Sequence, residues 1–149
     1  MKELEIIYED KDVLVIRKEA GIPVQSARVG AKDCESLLKN YLYKKNPKGG
    51  APYLGLIHRL DQPVEGVLVF AKEKKSAAVL TKQLSAGTLN KQYYAVLCGY
   101  PDASEGELVD YLRKEGSVAV AVTGREKNFP DAKIAKLHYS ILEKINQPM

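Results

Sequence analysis

The densest group of reactive side chains in the 149-residue sequence is His58-Arg59-Leu60-Asp61. It sits between the loop Pro52-Tyr53-Leu54-Gly55 and an apolar run that begins at Gly66. A carboxylate at the mouth of a buried strand is well placed for chemistry, because the strand is rigid and the loop is open to substrate. On residue type alone, Asp61 is a nucleophile, a general base, or an ion-pair partner that holds Arg59 and the loop. Glu65, four positions on, offers a second carboxylate and so a glycosidase reading, but the sequence has no Trp and only two Phe to build a sugar platform. His58 has only His138 as a fellow histidine, which is too few for a metal site.

These residues need a scaffold, and the hydrophobic pattern supplies one. Residues 4–8 and 12–17 are short β-branched runs around Glu9-Asp10-Lys11 and read as a hairpin. Gly21-Ile22-Pro23-Val24 opens a loop. Asp33 is placed as the N-cap of a helix whose inner stripe is Leu37, Leu38, Tyr41 and Leu42, stopped by Asn46-Pro47. Residues 66–72 read as a strand buried on both faces. A second helix is expected from Lys74 to Ala86, lined by Ala77, Leu80 and Leu84, with Gly87 as its left-handed cap. Strands are also expected at Gln92–Tyr100, Ser117–Val122 and Ile134–Leu142, with a turn-rich Pro101–Gly106 between the first two. The sum is a single strand-rich α+β domain.

Composition narrows the class without choosing a function. Apolar residues are 45% and charged residues 28%, which is the balance of a folded globular domain. The net charge of +4 is mild, yet Lys32, Lys39, Lys44, Lys45 and Lys48 cluster, as do Lys72, Lys74, Lys75, Lys82 and Lys91. Such runs are either solvated helix faces or a track for a polyanion. Cys34 and Cys98 lack any disulfide or zinc spacing, and no apolar run approaches the roughly 20 residues of a membrane span. A reducing cytoplasm is the expected setting.

Three motifs in order give the sequence a family likeness. His58-Arg59-Leu60-Asp61 followed by Gly66, an apolar strand, Ala71-Lys72 and Ala77-Ala78 resembles the central motif of the RluA family of RNA pseudouridine synthases. Residues 7–24 are similar to that family's opening hairpin and Lys-Pro-Ala-Gly turn. Lys91-Gln92-Tyr93-Tyr94-Ala95 looks like its Lys-x-Tyr-x-Ala strand. The resemblance implies the α+β fold of that catalytic domain, a mixed and mostly antiparallel sheet with inserted helices. It implies isomerisation of uridine to pseudouridine in ribosomal or transfer RNA, with neither metal nor organic cofactor. Asp61 would be the nucleophile and Tyr93 would pack on the target uracil. Arg59, His58 and Lys91 would form the RNA-binding set, His58 mainly by orienting the loop.

Departures are visible. Glu19 stands where the family usually has proline, and Val64-Glu65 replace Thr-Ser, bringing a negative charge toward an RNA site. The closing Gly-Arg-x-His-Gln-Ile-Arg motif is absent, and Thr123-Gly124-Arg125 is a decoy for it because Glu-Lys-Asn-Phe-Pro follows. The expectation is therefore a catalytic domain shortened at its C-terminus, without the small N-terminal RNA-binding module of many relatives. The alternative is an inactive RNA-binding module.

Overall fold

The computed structural model describes residues 4–27, 30, 32–116, 118–122 and 131–145. The chain divides into two compact units, 1–93 and 94–149, each with its own antiparallel sheet. The decoy Arg125 lies outside the described residues.

In the first unit, strands β1 (Glu5–Glu9) and β2 (Val13–Lys18) form the expected hairpin. Asp10 builds its turn: one carboxylate oxygen accepts the N–H groups of Asp12 and Val13, each at 2.8 Å. Those two bonds hold the Asp10 carboxyl below its ordinary range. Strand β2 then pairs along its whole length with β4 (Gly66–Ala71), and the two-residue β3 (Gly55–Leu56) lies on the far side of β4, giving the order β1-β2-β4-β3.

Alternation along these strands sorts the side chains. Leu14, Ile16 and Lys18 of β2 pair with Phe70, Leu68 and Gly66 of β4 on one face, whose apolar members are buried. Helix α1 (Cys34–Lys45) brings Cys34, Leu38 and Leu42 to that core, joined by Val24 and Leu54. Leu14, Ile16, Leu38, Leu68 and Phe70 are fully shielded, and each such burial is worth about 1.5–3 kcal/mol. The helix starts where expected, with Asp33 accepting the Ser36 N–H at 2.7 Å, and ends at Asn46.

The opposite face is less covered than the apolar run suggests. Val67 is half exposed, so β4 is not buried on both faces. It is a central strand of an antiparallel sheet, whose outer face tolerates water. Helix α2 (Lys74–Ser85) packs on β3 and β4 and is followed by Gly87 in the left-handed conformation, φ +68°, as the sequence predicts. Ala77 meets Gly55 so closely that a Cβ there would stand 3.1 Å from it and 2.9 Å from the Tyr53 hydroxyl. A larger residue there would push Tyr53 and Ala77 aside.

The second unit is a three-stranded sheet, β6-β5-β7, made of β5 (Glu105–Glu115), β6 (Val118–Val122) and β7 (Lys133–Ser140). The last two match expectation, but two corrections stand against the first. Residues 92–100 form no strand: the stretch is irregular and exposed, because no neighbouring strand supplies a ladder among the described residues. The strand lies later, at β5, and its start at Glu105 falls inside the stretch read as turn-rich.

A polar knot holds the first unit at one edge. Glu9 of β1 accepts Lys72 Nζ at 2.8 Å, Lys45 Nζ at 2.7 Å and the Tyr41 hydroxyl at 2.8 Å, so one carboxylate ties β1, α1 and the end of β4. Burial pushes the Glu9 carboxyl up, but the bonds from Lys45, Lys72 and Tyr41 outweigh it and hold the pKa at about 2. A carboxyl depressed in the folded state adds stability above its unfolded pKa, and that stability is lost as pH falls from about 4.5 toward 2. Glu9→Gln is expected to cost about 1–2 kcal/mol at pH 7, after discounting for solvent screening. It should also flatten the acid limb of stability, as read by urea denaturation across that pH window.

Candidate active site

The carboxylate of Asp61 is exposed and makes no hydrogen bond among the described residues. Its backbone is held from several directions. The Asp61 carbonyl accepts the Val64 N–H at 3.0 Å, closing a turn. The Gln62 carbonyl accepts the Gly21 N–H at 2.8 Å, and the Gln62 side chain returns a bond from Nε2 to the Gly21 carbonyl at 3.0 Å. The loop is thereby laced to the turn that follows β2.

Lys18 completes the lacing. It is an inward position of β2, in register with Gly66, and its relative exposure is 0%. The buried ammonium donates to three backbone carbonyls: Val64 at 2.6 Å, Gln62 at 3.0 Å and Glu19 at 3.2 Å. An ammonium has three donors, and here all three are used. Two of the acceptors belong to the loop that carries Asp61. Hydrogen bonds to charged groups contribute about 1.5–3 kcal/mol each, and a buried acceptor left empty costs about 1–3 kcal/mol. Lys18 had no role in the sequence reading, although the signal was there: a lysine on the inward beat of Leu14-x-Ile16-x-Lys18 must find polar partners inside.

Leu60 fixes the loop from its apolar side. It packs partly buried against the core, and a Cβ at Gly66 would stand 3.1 Å from its Cδ1. Leu60 thus points inward while Arg59 and Asp61, on either side of it, are exposed. His58 is half-buried; burial, and secondarily the charge of Lys91, push its pKa down.

Glu65 is not an unopposed negative charge. Its Oε1 accepts Arg17 Nη2 at 2.7 Å and Nε at 3.2 Å, and Glu5 takes the remaining arm of the guanidinium at 3.3 Å. The fork of Arg17 suits this two-point contact. A carboxylate engaged in that way is poorly placed to serve as the second acid of a glycosidase pair.

The structure thus gathers His58, Arg59 and Asp61 on one braced loop, with Lys91 near enough for its charge to bear on His58. Tyr93 and Tyr94 lie in the irregular exposed stretch, 63% and 87% exposed. No group of three or more His, Cys, Asp or Glu is placed to hold a metal ion among the described residues, and no described helix is long and apolar enough to cross a membrane.

Comparison with known proteins agrees with the likeness read from the motifs. Residues 12–148 match the RNA pseudouridylate synthase family, and the chain belongs to it. It is 35% identical over 143 residues to the ribosomal large subunit pseudouridine synthase D of Pseudomonas aeruginosa, covering 95% of this chain and 42% of that protein. It is 30% identical over 140 residues to an RNA pseudouridine synthase of Bacillus subtilis, covering 94% of this chain and 44% of that protein. Among solved structures it resembles the human RNA pseudouridylate synthase domain containing 4, with a TM-score of 0.76 and 24% identity over 95% of this chain and 54% of that one. The chain therefore spans under half the length of these two curated relatives.

Lys18→Met is expected to strip this donor from three carbonyls, of which that of Gln62 keeps the Gly21 N–H, and to lower unfolding free energy by about 2–4 kcal/mol. Guanidinium denaturation would check this. An unchanged midpoint would show that the loop is braced by other means.

Proposed function

We propose that this protein isomerises uridine to pseudouridine in RNA, with Asp61 as the nucleophile. One observation carries the reading beyond family membership: the backbone around Asp61 is pinned while its carboxylate stays unpaired and open. That is the combination a nucleophile needs, since its position is settled before substrate arrives and no protein bond must be broken to use it.

The reaction breaks the bond between the sugar and the ring nitrogen, turns the uracil, and rejoins it through carbon; C5 gives up its hydrogen as a proton and the freed ring nitrogen takes one up. No external oxidant, reductant or cofactor is needed to balance it. The target base must leave its stack, at a cost of a few kcal/mol. Tyr93 supplies a π-face for the extruded uracil, and stacking of that kind contributes about 1–3 kcal/mol per base. Arg59 and Lys91 contact the RNA backbone, and the paired state of Glu65 with Arg17 limits the repulsion it would offer there. Ribosomal RNA is the favoured substrate, because the Pseudomonas relative is named for the large ribosomal subunit. The two compact units serve as parts of one catalytic domain, since the family match runs from 12 to 148 across both. The thiols Cys34 and Cys98 are both free, which suits work in the cytoplasm.

Tritium release from 5-tritiated uridine in ribosomal RNA tests the reading. Release by the protein and its loss by more than about 10³-fold in Asp61→Ala are expected. No release from either, with RNA affinity untouched by the substitution, would favour a non-catalytic binding module. Tyr93→Ala should reduce the rate by about 10–100-fold through the lost stacking.

A further inference from the structure

Strands β3 and β4 pair at Gly55–Ala71 and Leu56–Phe70. Carried one residue further, that register sets Ile57 opposite Val69, whose N–H would find the Ile57 carbonyl. The structure does something else. β3 stops at Leu56, and the Val69 N–H donates to Nε2 of the His58 ring at 3.4 Å. A side chain has taken the place of a rung of the ladder.

This contact constrains the state of the ring. A ring nitrogen accepts a hydrogen bond only while it keeps its lone pair, so this contact is one that a neutral ring with its hydrogen on Nδ1 can make. Nδ1 is closed off from solvent and has no partner among the described residues. The opposite tautomer would be worse, because Nδ1 would still be buried and unpaired while two N–H groups faced each other across the Val69 contact. Protonation would be worse again, adding a charge in a half-buried position that Lys91 already makes positive. The charge of Lys91 bears on this ring, while Asp61, three residues on, is exposed to water.

We propose that His58 is a positioning residue for the reaction: a neutral, Nδ1-protonated imidazole that ends the β3–β4 ladder and turns the chain off the sheet, so that Arg59 and Asp61 are delivered outward. The inference rests on the reading of Asp61 as the reacting carboxylate. It assigns the acid limb of activity to His58. A second proton on the ring displaces the Val69 N–H and releases the turn, so activity falls with pH through the His58 pKa, which lies below the ordinary value near 6.5. The stability linkage has the same sign. A histidine whose pKa is lowered by folding contributes stability above its unfolded pKa, and that contribution is lost as pH falls below it.

Two variants separate positioning from bulk. His58→Gln offers a non-titrating amide oxygen where Nε2 lies, and His58→Leu keeps the volume without an acceptor. In the tritium-release assay from pH 4.5 to 8, the Gln variant should stay within about threefold of the parent at pH 7.5 and lose the acid limb. The Leu variant should lose about 10–100-fold in kcat with KM for RNA unchanged, the scale of a small misplacement of a reacting group. An acid limb that persists in the Gln variant, or a Leu variant as fast as the parent, overturns the proposal. Nitrogen-15 spectra of the imidazole give a reading that needs no turnover: Nδ1 protonated and Nε2 bare at neutral pH is the expected state, and the reverse overturns it. Amide exchange adds a second. Exchange at Val69 and 59–61 should quicken in the Leu variant and hold in the Gln variant even if no uridine is isomerised, which separates failure of this inference from failure of the proposed reaction; equal exchange in both overturns it.

Discussion

The ammonium of Lys18 has no solvent to return to, and that one fact organises the first unit. A cation taken out of water must have its donors filled, and the carbonyls within its reach are those of Glu19, Gln62 and Val64. Meeting that need forces the end of β2 and the loop before β4 together and leaves little freedom for the residues between them. The mutual bonds of Gly21 and Gln62 then follow from the same proximity. Hydrophobic packing alone would bring β2 and β4 side by side, but it is indifferent to how a connecting loop is dressed. The directional bonds of a buried charge are not.

Around this centre the side chains divide by what they are asked to do. Those that position are buried or bonded: Lys18 in the core, Leu60 against it, His58 on the edge of β4, Gln62 across to Gly21. Those that would meet RNA are exposed: Arg59, Asp61, Lys91 and Tyr93. Ion pairs outside the loop, such as Arg17 with Glu65, settle local charge without entering the core. The same lysine-rich helices that keep the surface wet are partly committed to such pairs, since Lys39 bonds Glu35 and Lys45 bonds Glu9. Counting lysines in the sequence therefore overstates how much positive charge is available to a polyanion.

Much of the first unit was legible in the sequence because its signals are local. Asp33 caps α1, Gly87 follows α2 with positive φ, and the hairpin turn read at Glu9-Asp10-Lys11 lies one residue on, at Asp10-Lys11-Asp12. The His-Arg-Leu-Asp loop was legible as a place where chemistry could occur. What escaped was decided by partners far away in the chain. Gln92–Tyr100 has strand composition but no ladder to join among the described residues, whereas β5 carries Glu107, Asp110, Arg113 and Lys114 without clean alternation and is a strand because β6 and β7 flank it. The role of Lys18 and the backbone partner of the His58 ring were hidden for the same reason, since each depends on backbone groups some ten to fifty residues away.

The stretch Tyr93-Tyr94-Ala95-Val96-Leu97-Cys98 has a further consequence for anyone handling the protein. It is apolar, uncharged, free of proline and ready to extend, and it presents a thiol at its end. Segments of that composition pair edge to edge with copies of themselves when nothing shields them. In concentrated solution these six residues are where copies of the chain would meet first, and a lysine in place of Val96, with the thiol kept reduced, would oppose that pairing.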